Sequence, residues 1–138
     1  MLFAGSERLP GLLAAALGRA DPELTPFDAV LTALADVGAV LGAQVALHAV
    51  QRRDIIAGSP ELQERGRTKF AAVADALAAE LVRRGIDPAS AMLLADVAVA
   101  IFRTGFSRWV DNSCTDDLAA CLRQAGAELA NAVGPPSP

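Results

Sequence analysis

Apolar residues recur at helical spacing along almost the whole chain, and no stretch alternates strictly apolar with polar. The first run, Leu2–Leu17, puts Leu9, Leu12, Leu13 and Leu17 on one face. Pro10 and Gly11 predict that this helix either starts there or kinks there. Ala20–Leu24 is a connector holding the turn signal Asp21–Pro22. From Pro26 a stripe follows through Phe27, Leu31, Leu34, Leu41, Val45, His48 and Ile55. Gly38 and Gly42 interrupt it and predict a break or bend near them, with one helix to about Val37 and another from about Leu41 to Ala57. Pro60–Arg84 carries Leu62, Phe70, Val73, Leu77 and Leu81 on one face. Arg83 and Arg84 suit its negative end, and Gly85 stands where a helix-ending glycine belongs.

Three of these helices announce their starts with one device, an oxygen-bearing side chain followed by proline: Thr25–Pro26, Ser59–Pro60 and Asp87–Pro88. Thr25 and Asp28 add a pair like a capping box. The helix Asp87–Val110 has two neighbouring stripes, Ala91, Ala95, Ala98, Phe102, Gly105 and Trp109, then Met92, Asp96, Val99, Arg103, Phe106 and Val110. A helix apolar over that much of its girth needs cover from more than one side. The last helix, Thr115–Val133, is expected to be capped by Ser113 or Thr115 and turns Leu118, Cys121, Leu122, Ala125, Leu129 and Val133 inward. Ala119, Gly126 and Ala130 line another of its sides. The fold class is all-α, a helical bundle.

Composition narrows the picture. The 138 residues fit a single domain, residues 1–138, with 53% hydrophobic and 20% charged residues, too apolar for disorder. Net charge is −4, the wrong sign for a domain that grips nucleic acid by itself. Mean hydropathy is high at +0.36, yet Asp36, Gln44 and His48 interrupt one apolar run and Asp96 another, so no membrane span is expected. Cys114 and Cys121 are two turns apart on one expected helix, too far to bridge, and fit a reduced cytoplasmic setting.

Three segments, taken in order, carry a resemblance. They are Ile55-Ile56-Ala57-Gly58-Ser59-Pro60-Glu61-Leu62, Arg83-Arg84-Gly85-Ile86-Asp87, and Phe102-Arg103-Thr104-Gly105-Phe106-Ser107-Arg108-Trp109. Their order and spacing resemble the C-terminal regulatory domain of TetR-family transcriptional regulators, in the branch of the mycofactocin regulator. The resemblance covers nearly the whole chain. It implies a homodimer whose last two long helices form a four-helix bundle with their mates. It also implies that Pro26–Arg84 encloses a pocket for a hydrophobic small-molecule effector. Regulators of this family begin with a helix-turn-helix head, and none is read within these 138 residues. DNA binding is therefore expected only through such an N-terminal head.

Candidate residues follow from that frame. Gln44, His48 and Gln51 lie near one another on one predicted helix and are candidate polar anchors in an apolar pocket. His48 alone is equally a satisfied helix histidine, and with no second histidine or cysteine at ligand spacing no metal is expected. Phe27, Phe102, Phe106 and Trp109 could line a cavity, and Phe70, Val73, Met92 and Val99 are the favoured wall residues, each of them also readable as plain core. Asp96 and Arg103 sit on an otherwise apolar stripe, where charges need partners, across the subunit boundary, through an intermediary, or on an effector. The dimer interface is expected at Leu118, Ala119, Leu122, Gly126, Leu129 and Val133. No nucleophile–base pair, phosphate-cradling loop or paired acids are present, so neither enzymatic activity nor a cofactor is expected. The competing reading is a stand-alone helical interaction module with a solid core and no ligand.

Overall fold

A computed structural model describes residues 8–45, 60–111 and 117–133, with side chains for 8–42, 70–111 and 117–133. Among the described residues the elements are α1 (Leu9–Arg19), α2 (Pro26–Val45), α3 (Pro60–Arg83), α4 (Pro88–Asp111) and α5 (Leu118–Val133). The proline starts hold at all three positions. The Thr25 Oγ1 accepts a hydrogen bond from the Asp28 N–H at 3.1 Å. The Asp87 carboxylate accepts from the N–H groups of Ala89 and Ser90 at 3.1 and 3.3 Å. Each satisfies donors that the first helical turn leaves open. Ser59 lies outside the described residues.

Helix α1 begins at Leu9, with Pro10 in its first turn, where a missing N–H costs nothing. The part of the expected Leu2–Leu17 run before Arg8 lies outside the described residues. Helix α3 ends in a Schellman motif: Ile86 N–H donates to Leu81 O at 3.0 Å and Gly85 N–H to Val82 O at 2.9 Å. Gly85 has φ +96°, and a Cβ there would meet nothing within 4 Å, so its requirement is purely one of backbone conformation. Gly85→Ala is expected to lower stability by roughly 1–2 kcal/mol. Gly11, equally open but at an ordinary helical position, should respond oppositely and gain up to about 1 kcal/mol as alanine. Urea midpoints of the two variants check the pair, and equal signs would contradict this account.

Two expectations about α2 and α5 are corrected. Helix α2 runs unbroken through Gly38 and Gly42, because these glycines admit a neighbour instead of ending the helix. A Cβ on Gly38 would lie 2.6 Å from Leu122 Cδ1, and one on Gly42 3.3 Å from Leu118 Cβ. The expected continuation beyond Val45 to Ala57 falls outside the described residues. Helix α5 starts at Leu118, and its cap is Asp117, whose carboxylate accepts from the Ala119 N–H at 3.3 Å. Ser113, Cys114 and Thr115 are outside the described residues.

Helix α1 packs on α2 and α3, α3 on α4, α4 on α5, and α5 returns to α2, closing a circuit around one core. Leu13 and Leu17, Val30 and Leu34, Val73, Leu77 and Leu81, Trp109, Leu118 and Leu122 are its fully enclosed large side chains. Among the described residues no polar or charged side chain is buried. By length and composition alone α4 is apolar enough to cross a bilayer. Its apolarity has a nearer cause: Ala91, Ala95, Ala98, Ile101, Phe102, Gly105, Trp109 and Val110 are buried in the bundle core. Of its second stripe only Val110 is enclosed.

Candidate functional site

Aromatic residues are scarce here, five Phe and one Trp, yet four of those six stand in one row. Phe70 of α3 meets Phe102 of α4 with ring centroids 6.0 Å apart and planes tilted by 57°. Phe102 and Phe106 are nearly parallel at 6.1 Å, and Phe106 meets Trp109 at 5.6 Å, tilted by 56°. Helical spacing explains the row, since Phe102, Phe106 and Trp109 recur at steps of four and three along one side of α4. A Cβ on Gly42 would lie 3.8 Å from the Trp109 ring, so the row reaches from α3 across α4 to α2. Phe102 and Trp109 are buried, while Phe70 and Phe106 at the row's margins are half-buried.

The Arg103 guanidinium stands over the Phe70 ring, 5.7 Å from its centroid. A cation over a ring face is attracted by the ring quadrupole, by about 0.5–1 kcal/mol at an exposed position. Arg103 therefore frames one end of the row with a fixed positive charge whose side chain is exposed.

The expected site residues distribute as follows. Phe70 joins the row, Val73 is buried in the core, and Val99 is half-buried. Met92 is 39% exposed and stands three turns of α4 away from the row's centre at Phe102. Asp96 and Arg103 are both exposed in the single chain. They flank the buried face of α4 instead of lying on it. Gln44 belongs to the last turn of α2, but its side chain, like His48 and Gln51, lies outside the described residues. Phe102, Phe106 and Trp109 were weaker candidates on sequence grounds. The signal for them was their shared helical side in a chain with so few other rings.

On α5, Leu118, Ala119, Leu122 and Gly126 are buried within the chain itself. Leu118 and Leu122 face Gly38 and Gly42 of α2, Leu122 also faces Gly105 of α4, and Gly126 faces Leu31 of α2. Leu129 is half-buried, and Val133 is 74% exposed. The expectation that a mate covers this stripe is thus corrected for its four enclosed residues, which α2 and α4 already cover. What α4 and α5 leave open is the reverse side, with Leu93 68% exposed, Val97 half-buried, and Ala100, Ala120, Gln124 and Ala127 exposed. At the edge of that face Arg108 and Glu128 join the two helices by an ion pair. The hydrogen bond and charge of Glu128 raise the Arg108 pKa above its ordinary value. Cys121 is a buried thiol, and Cys114 is outside the described residues.

A search of curated proteins gave no match. The family model described as the MftR C-terminal domain matches residues 24–134, from the connector before α2 to the end of α5. That span takes in the whole aromatic row and the glycine-lined crossing of α2 with α5. The chain belongs to the family of MftR C-terminal domains, the helical regulatory domains of TetR-type transcriptional regulators of the mycofactocin-regulator type.

Proposed function

We propose that the chain is the effector-binding and dimerisation domain of a cytoplasmic TetR-type repressor. In this reading a hydrophobic small molecule binds against Phe70, Phe102, Phe106 and Trp109, and DNA is reached only through an N-terminal head outside these 138 residues. The observation that carries the reading is the gathering of four of six aromatic residues into one row in a domain of regulatory family. Flat apolar rings with exposed margins offer large contact area, and a few polar groups at the edge, Arg103 among them, orient a ligand. Gln44, His48 and Gln51 are kept as further polar anchors. Val73, Met92, Asp96 and Val99 are retained as contacts of lesser weight, since none stands in the row. No metal, cofactor or catalytic role is assigned to any of them.

Trp109 is the only tryptophan, so the site contains its own reporter. Titration with naphthalene and with straight-chain alcohols should change Trp109 emission saturably at micromolar concentration. Native mass spectrometry should show a small molecule retained from the expressing cell. No emission change with any probe, together with a bare protein mass, would favour the interaction-module reading.

We further propose that the mate covers the open side of α4 and α5. Leu93 and Val97 supply its apolar content, and Ala100, Ala120 and Ala127 allow close approach of helices. Sedimentation should give a dimer at micromolar concentration, and Leu93→Arg should yield a folded monomer. A wild-type monomer at that concentration would remove the dimer from the proposal.

A further inference from the structure

Arg103 follows Phe102 directly on α4, and the two side chains part at the rim of the bundle, the ring buried and the guanidinium exposed. Both meet Phe70 of α3. The Phe102 ring approaches it with centroids 6.0 Å apart and planes tilted by 57°, and the guanidinium stands over its face at 5.7 Å. A guanidinium over a ring engages the quadrupole with its charge and leaves its N–H donors free. No carboxylate of the described residues takes them. The ion pairs there are Arg83–Glu80 and Arg108–Glu128, and Arg103 belongs to neither. Asp96, on the same side of α4, is two turns away, about 10 Å at the ordinary helical rise and beyond the screening length of physiological salt. Phe70 thus holds a flexible cationic side chain in place before any anion arrives, which lowers the ordering cost of binding one.

We propose that the molecule taken by this site is an aryl carboxylate, its ring laid against Phe70 and Phe106 and its carboxylate clamped by Arg103. This rests on the reading of the row as an effector wall and adds the class of molecule. The planar fork of an arginine matches the two oxygens of a carboxylate, whereas an alcohol or an amide offers it a single acceptor. Spacing sets the size. Phe106 lies three residues beyond Arg103, about 5 Å along the helix axis, so a molecule of one or two rings reaches from the guanidinium to that ring. A flat ring also gains from meeting ring faces and edges beyond the area it buries, which a straight alkyl chain does not. The net charge of −4 makes the discrimination local: the domain as a whole does not draw anions in, so a preference for a carboxylate has to come from Arg103.

Calorimetric titration of the 138-residue chain at neutral pH tests it, with naphthoate and its neutral isostere naphthamide, which share a shape and differ in charge. The wild type should bind naphthoate about tenfold more tightly than naphthamide, the lower end of what a hydrogen-bonded charge is worth. Arg103→Gln should bring that ratio to about one, and Arg103→Lys, a charge without the fork, to about three. Added salt should lower the ratio in the wild type and leave it unmoved in Arg103→Gln. Trp109 emission of each unliganded variant reports whether the row has kept its form. Equal affinity for naphthoate and naphthamide, or a preference that survives Arg103→Gln, would overturn the carboxylate while leaving the row an effector wall. Decanoate bound as tightly as naphthoate would overturn the ring. Binding of none of the three would overturn the effector wall and this assignment together.

Discussion

Leu122→Ala is expected to destabilise the domain by about 4–5 kcal/mol, the upper part of the range for a buried leucine. Leu122 is fully enclosed, and its two methyl groups point at glycines of different helices, Gly38 of α2 and Gly105 of α4. A cavity closes when side chains swing into it, and glycines have none to swing, so this one should stay open. The glycines themselves make a sharper test. A Cβ on Gly38 would meet Leu122 Cδ1 at 2.6 Å, with the next atoms at 3.6 Å or beyond. A Cβ on Gly105 would meet Leu122 Cδ2 at 2.6 Å but also its Cα at 3.0 Å and its N at 3.2 Å. Gly38→Ala alone should cost about 1–3 kcal/mol by overpacking. Added to Leu122→Ala it should instead restore stability by roughly 1 kcal/mol, as the new methyl enters the cavity and alanine favours the helix. Gly105→Ala should not be rescued in this way, because the backbone of Leu122 remains in its path. Guanidinium unfolding of the three single and two double variants measures the difference. Equal behaviour of the two double variants would show that α5 is not seated as described.

The same crossing shows where a linear reading of the sequence succeeds and fails. Thr25–Pro26, Asp87–Pro88 and Gly85 were legible because their chemistry is local: a cap, a fixed φ and a left-handed residue each act within one turn. Gly38 and Gly42 were misread for the complementary reason. A glycine lowers helix propensity wherever it stands, and only the neighbour, here Leu118 and Leu122, reveals that the missing Cβ is the point. Periodicity likewise grouped Leu118, Leu122 and Leu129 on one face of α5 without telling what covers it. The face turned out to be served largely by α2 and α4. Asp96 and Arg103, read as charges in need of partners, stand beside an apolar stripe. The boundary of the buried arc on α4 falls between that stripe and theirs, and a boundary is set by the width of the packing helices, not by the residues at the edge. Phe102 and Phe106 could have been ranked higher from their spacing with Trp109 in so ring-poor a chain.

The second large effect concerns that row, where stability and binding should part company. Phe102→Ala is expected to cost about 3–5 kcal/mol, since Phe102 is enclosed and touches rings on both sides. Its loss would unfold much of the population and says little about a ligand. Phe70→Leu and Phe106→Leu act at the half-buried margins, where a volume-conserving exchange should cost under about 1.5 kcal/mol. If the row is an effector wall, these two changes remove ring faces that a ligand uses and weaken probe binding by about tenfold or more, following the usual size of a lost aromatic contact. Trp109 emission in the unliganded variants reports whether the row itself has shifted, separating a lost contact from a disturbed fold. A row that is only core predicts the opposite pairing: melting temperature falls with each margin change, and probe response stays in proportion to the folded fraction. Binding that survives Phe70→Leu and Phe106→Leu undiminished would therefore move the effector off these rings, while leaving the bundle and its family membership where the packing of α2, α4 and α5 puts them.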